Sequence, residues 1–117
     1  MSEKMINLEL LSKTVNGNKA VMISVIDVFV EELPKDIAEL NNAVNAGNLT
    51  AINRQCHKMR SSVSIMGLAG MVDLLEEIEQ LGQNEKEIQR IRELSQQFNS
   101  MVSRVVQEVL EEKEKLL

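Results

Sequence analysis

The chain has 117 residues and a formal net charge of -5, from 13 Lys and Arg against 18 Asp and Glu. That length supports one hydrophobic core, so a single domain over residues 1–117 is expected. A sequence pI near 4.9 argues against nucleic acid as the main partner, because neutralising phosphates needs a dominant basic face. Cys56 is the only cysteine, which excludes an internal disulfide and fits a reducing cytoplasm. The N-terminus lacks the apolar run of a signal peptide, and no apolar stretch is long enough to cross a bilayer. A soluble, cytoplasmic chain is therefore expected.

Hydrophobic residues make up 44% of the chain, yet there are two Phe and no Trp or Tyr. The core must be aliphatic, with the seven Met most simply read as flexible core filler. Five Gly and one Pro leave few chain breakers, which favours helices over short strands.

In chain order, Asn7 can cap a short helix from Leu8 to about Val15, which Asn16-Gly17 ends. Asn18 then opens a longer helix whose apolar stripe is Met22, Ile26, Phe29, Leu33, Ile37, Leu40 and Val44, at spacings of three and four. The stripe runs through Pro34, so a kink that largely keeps the helix direction is expected. Ala46-Gly47-Asn48 ends that helix and caps the next, Leu49 to about Met66. Gly67 marks a bend, and a further helix carries Met71, Leu74, Leu75, Ile78 and Leu81 before Gly82. Asn84 with Glu87 reads as a capping box for the last helix. Its core face is Ile88, Ile91, Leu94, Phe98, Met101, Val105 and Val109, and its charged end, Glu111 to Lys115, is expected to fray. Four amphipathic helices joined by short turns make an all-α, up-down antiparallel four-helix bundle with a short additional N-terminal helix.

His57 is the only histidine. It lies in a stretch from Glu39 to Asp73 that contains no other carboxylate, with Arg54, Lys58 and Arg60 beside it. On a helical wheel Ile52, Cys56, Met59, Val63 and Met66 form the inward stripe, and His57 points almost directly away from it. Asn53, Arg54, Arg60, Ser61 and Ser64 share the outer face at three- and four-residue offsets. An exposed imidazole near cations and hydroxyls suits the holding of a phosphoryl group. The ordinary alternative is a surface histidine on a solvated face. One His and one Cys facing apart cannot supply a four-ligand metal site, and Cys56 on the core stripe is no nucleophile.

The segment from Cys56 and His57 through Lys58, Arg60, Ser61, Ser62 and Ser64 to Gly67 resembles the phosphorylation segment of histidine-containing phosphotransfer (HPt) domains. These are the histidine carriers of multistep two-component phosphorelays. The family pattern has an active His, a Lys three residues on, Gly and Ser directly after it, and another Gly ten residues after the His. Here Arg60 holds the cation position, Ser61 stands where Gly is usual, Ser62 matches the Ser and Gly67 the second Gly. The resemblance covers nearly the whole chain, including Phe29 to Pro34, the Ala-Gly-Asn turn and the acidic helix after Gly67. Arg60 keeps the charge and adds a bidentate donor set suited to phosphoryl oxygens. Ser61 narrows a partner's access without blocking it.

The resemblance implies that His57 takes a phosphoryl group from a receiver-domain aspartate and passes it to another. It implies that Glu79, on the following helix, accepts the ring proton of His57, with Arg60 and Lys58 offsetting phosphoryl charge. The expected partners are response-regulator receiver domains or a hybrid histidine kinase, with the carrier itself a monomer. No glycine-rich nucleotide loop or acidic metal cluster lies near His57. No cofactor and no autonomous ATP-dependent kinase activity are expected, with Mg²⁺ supplied by the receiver. Ile65, on the shoulder of the His57 face, suits a docking patch or partial burial equally well. A histidine-kinase dimerisation domain is disfavoured by Lys58 and by the missing nearby Pro. A phosphorylation-dead receiver-binding bundle, motivated by Ser61, and a plain helical scaffold remain as alternatives.

Overall fold

The computed structural model describes residues 4–83 and 85–117. Among these residues five α-helices follow one another: α1 Glu9–Thr14, α2 Lys19–Ala46, α3 Leu49–Ile65, α4 Ala69–Leu81 and α5 Ile88–Leu116. In the ring formed by the four longer helices, α3 packs against α2 and α4, and α5 closes against the same two. This is the antiparallel bundle expected from the sequence. At 1.5 Å per residue the 28-residue α2 spans about 42 Å, close to the 47 Å long dimension of the molecule. The shorter α3 and α4 leave one end of the α2–α5 pair uncovered, and the N-terminal segment with α1 fills that end.

Local sequence accounts for most boundaries. Asn18 and Asn48 cap α2 and α3 by accepting the backbone N–H groups of Val21 and Ala51 at 3.2 and 3.1 Å. Helix α2 is continuous through Pro34, which lies on the solvent side between buried Leu33 and Asp36. A missing N–H is tolerated there because water can satisfy the freed carbonyl. The inward stripes bury Met22, Ile26, Phe29, Leu33, Leu40 and Val44 of α2 against Ile91, Leu94, Phe98, Val105 and Val109 of α5. Ile37, Ile88 and Met101 are half-buried at the edges of that core.

Several boundaries differ from the sequence expectation. Asn84, half of the expected capping box, lies outside the described residues. Helix α5 follows a 3₁₀ turn at Glu85–Glu87, and Glu87 stands at its N-cap without a side-chain capping bond. The charged end does not fray: α5 continues to Leu116. Ion pairs explain this, with Lys113 Nζ 2.6 Å from Asp27 on α2 and Glu112 between Lys4 and Lys115. Gly82 ends α4 with an ordinary right-handed φ of -64°, so its conformational freedom is not what the site requires. A Cβ there would come within 2.1 Å of Asn53 Oδ1, and Asn53 Nδ2 donates to the Gly82 carbonyl at 3.2 Å. Gly82 thus leaves room for the Asn53 side chain of α3.

The N-terminal segment is strapped down at two points. Met5 and Ile6 donate their N–H groups to Glu108 Oε1 at 2.7 and 3.2 Å, while Arg104 Nε donates to Glu108 Oε2 at 2.8 Å. Burial alone would raise the Glu108 carboxyl, but these donors outweigh it and hold the group below its ordinary range. Next, the Asn7 N–H donates to the Met66 carbonyl at 3.2 Å. Gly67 has φ +68°, and a Cβ on it would fall 1.9 Å from the Asn7 carbonyl oxygen. Backbone conformation and backbone contact both demand glycine there.

Candidate functional site

Helix α3 carries the site. Ile52, Cys56, Met59, Val63 and Met66 are at most 1% exposed, so the inward stripe lies where the wheel places it. That rotation turns His57 outward, and its side chain is 80% exposed. Gln55 locks the rotation from the other side: it is buried and donates Nε2 to the Asp36 carbonyl of α2 at 2.9 Å. Burial pushes the Cys56 thiol up to about 12, with the nearby Glu79 charge adding to the rise. Cys56 is a protonated core residue with no nucleophilic character.

Glu79 reaches across from α4. Its Oε1 is 3.7 Å from His57 Nδ1, an ion-pair separation just beyond a hydrogen bond. Its Oε2 accepts from Arg60 Nη1 at 2.9 Å, and the second arm, Arg60 Nη2, donates to Glu76 Oε1 at 3.4 Å. His57, Glu79, Arg60 and Glu76 thus form one chain of contacts between α3 and α4. His57, Arg60, Ser61, Ser64, Val72 and Glu76 line a shallow cleft of about 360 Å³ beside the imidazole. Ser61 and Ser64 are exposed along its α3 side. Ser62 turns away, donating to the Met59 carbonyl of its own helix at 3.0 Å.

On the opposite flank, Lys58 Nζ lies 3.5 Å from Asp36 Oδ1 and 3.8 Å from Glu39 Oε2 of α2. The stretch around His57 is therefore free of carboxylates in sequence but not in space. Arg60 and Lys58 are each held by two carboxylates from neighbouring helices. Arg54, one turn before His57, is exposed and makes no ion pair among the described residues.

Sequence reasoning brought His57, Arg60, Lys58 and Glu79 to the site but missed Glu76, Asp36 and Glu39. Hairpin arithmetic could have found them. Antiparallel helices pair residues at similar distances from their turn. Asp36 and Lys58 lie eleven residues on either side of Gly47, and Arg60 and Glu76 lie seven before and nine after Gly67.

Beyond Lys58, an open apolar groove of about 440 Å³ runs between α2 and α3. Val25, Val28, Phe29 and Ile65 line it together with the charged Glu32 and Lys58. Val28 is 59% exposed. Ile65 is half-buried against the core, as one of its two expected roles requires, and it also lines this groove. Among the described residues no group of three His, Cys, Asp or Glu is placed to hold a metal ion. No helix of the described residues is long and apolar enough to cross a membrane.

The fold is shared with a solved structure, histidine-containing phosphotransfer protein B (HptB) from Pseudomonas aeruginosa PAO1. The TM-score is 0.85 at 19% identity, over 97% of this chain and 98% of that one. No curated protein matches the chain. The family model of the Hpt domain matches residues 24–108, which contain all of α3, α4 and every residue of the His57 site. The chain belongs to the Hpt domain family, the histidine phosphotransfer modules of phosphorelays.

Proposed function

We propose that this chain is a cytoplasmic, monomeric phosphocarrier that takes a phosphoryl group from one receiver-domain aspartate onto His57 and hands it to another. The observation that carries this reading is the pairing of an 80% exposed imidazole with a carboxylate 3.7 Å behind its Nδ1. A carboxylate at that nitrogen favours the tautomer with the proton on Nδ1, which leaves Nε2 with its lone pair towards solvent. Nε2 then attacks the phosphorus of the aspartyl phosphate. The N–P bond forms, the P–O bond to the aspartate breaks, and the aspartate leaves as a carboxylate. The Nδ1 proton stays on the ring, and the positive charge gained there is offset by Glu79. Hydrogen bonds of this kind often tighten only in the reactive complex, and an exposed imidazole has the freedom to close 3.7 Å.

Arg60 is placed one turn from His57 to meet the phosphoryl oxygens, with Lys58 on the other flank. Arg54, which pairs with no carboxylate among the described residues, adds a further cation. No nucleotide site is proposed on this chain, and the metal ion needed for aspartyl chemistry belongs to the receiver. The α2–α3 groove fits the receiver's docking: its lining is mostly apolar, includes the charged Glu32 and Lys58, and shares α3 with His57. Incubation with a phosphorylated receiver tests the reading. The parent should gain acid-labile phosphate and return it to an unphosphorylated receiver. His57→Gln should do neither while melting like the parent, and phosphate uptake by that variant would refute it.

A further inference from the structure

The cation expected to hold the phosphoryl group is already occupied. Both guanidinium arms of Arg60 are engaged, one with Glu79 at 2.9 Å and the other with Glu76 at 3.4 Å. The two contacts are not equivalent. Glu79 is three-quarters buried and also faces His57 Nδ1, so it has a second reason to stay where it is. Glu76 is nearly half exposed, contacts only Arg60 among the described ion pairs, and stands in the cleft beside His57, Ser61 and Ser64. A phosphoryl group on Nε2 brings two negative charges to the mouth of that cleft. It would repel Glu76 and compete with it for the Nη2 arm, because phosphate oxygens accept strongly from guanidinium groups.

We propose that Glu76 is a positioning residue that sets how tightly His57 holds its phosphoryl group. It occupies the Nη2 arm of Arg60 in the unphosphorylated protein and yields that arm to a phosphoryl oxygen when His57 is loaded. This inference rests on the phosphocarrier reading. Its physical content is a competition: each unit of favourable energy in the Arg60–Glu76 pair is subtracted from the phosphorylated state. A carrier must release its cargo as readily as it accepts it, and a counter-charge that weakens the product complex serves that need. Glu79 cannot play the part, because removing it would also remove the partner of Nδ1.

The test is the equilibrium of phosphoryl exchange between the full chain and a receiver domain that loads it, read from the phosphate on each protein. Glu76→Gln should move that equilibrium about three- to five-fold towards phosphorylated His57, the range expected for one partly exposed ion pair. Glu77→Gln makes the same charge change on the same helix, but Glu77 pairs with Arg90, and it should stay within about two-fold of the parent. In an Arg60→Ala background the Glu76→Gln shift should fall to less than half, leaving only direct repulsion, because Glu76 acts mainly through Arg60. An unshifted Glu76→Gln equilibrium, an equal shift in Glu77→Gln, or a shift that is undiminished in Arg60→Ala overturns the proposal. A parent chain that takes up no phosphate on His57 overturns the phosphocarrier reading itself, and this proposal with it.

Discussion

Two of the places where carboxylates meet cations, the outer face of α3 and the N-terminal strap, are built in opposite ways. In the strap, Glu108 is buried and accepts from Met5, Ile6 and Arg104 together. Around His57, the pairs of Arg60 and Lys58 are partly exposed and shared among four carboxylates, and all but the 2.9 Å Arg60–Glu79 contact are 3.4 Å or longer. Buried, fully satisfied charges hold a segment in one place, because breaking them leaves an unpaired charge. Exposed pairs contribute little to stability, and for that reason they can change partners at small cost. The strap is built to stay and the α3 face to exchange.

If that contrast is right, changes on the α3 face should alter transfer and spare folding. Arg60→Ala should slow single-turnover transfer from a saturating phosphorylated receiver by about 100-fold, the low end for losing one preorganised charged donor. Lys58 and Arg54 share the charge, which argues against a larger loss. Arg60→Lys should recover most of the rate, and the melting temperature should barely move in either variant. Alanine transferring as fast as the parent would reduce Arg60 to a docking charge.

Changes at the strap should do the reverse. Gly67→Ala places a Cβ against the Asn7 carbonyl at a left-handed φ of +68°. The backbone penalty of about 1–2 kcal/mol and loss of the strap's hydrogen bonds at about 1 kcal/mol each give roughly 3 kcal/mol, measurable by chemical denaturation. Transfer by the folded fraction should be unchanged. A variant as stable as the parent would mean that the segment from Met5 to Asn7 does not bind the α3–α4 turn.

The smallest effect is a pH dependence. The folded Glu108 carboxyl is held below its ordinary value of 4.5, so the unfolded chain takes up the proton first as pH falls. The stability it contributes is complete above about pH 4.5 and disappears as pH drops through the lowered folded value. Glu112, held down by Lys4 and opposed by burial, adds to the same trend. Glu108→Gln should cost about 1 kcal/mol at neutral pH, the difference between a charged and a neutral acceptor, and should flatten the acid limb of the stability profile. An equally steep limb in the variant would move the acid sensitivity to another group.

The bundle was legible in the sequence because apolar spacing and capping asparagines act locally, and both Asn18 and Asn48 cap as expected. The rotation of α3 followed from five apolar positions, which is why the exposure of His57 could be read from its wheel. What escaped was the pairing between helices. The carboxylates that hold Arg60 and Lys58 come from α4 and α2, so a run without acids in sequence became a face with balanced charge. The helical end of α5 escaped for the same reason, since Asp27 and Lys4 that anchor it lie far away in sequence. Gly67 and Gly82 were visible as breaks, but only the neighbouring Asn7 backbone explains why Gly67 must be glycine.

The central claim is that the phosphoryl group resides on Nε2 of His57 while Nδ1 keeps its proton towards Glu79. Heteronuclear ³¹P and ¹⁵N NMR of the chain loaded by a phosphorylated receiver reads this directly. The account predicts one phosphohistidine signal, with phosphorus coupled to Nε2 and a protonated Nδ1, absent from His57→Gln. Phosphorus on Nδ1, or acid-labile phosphate on any other residue, would contradict it.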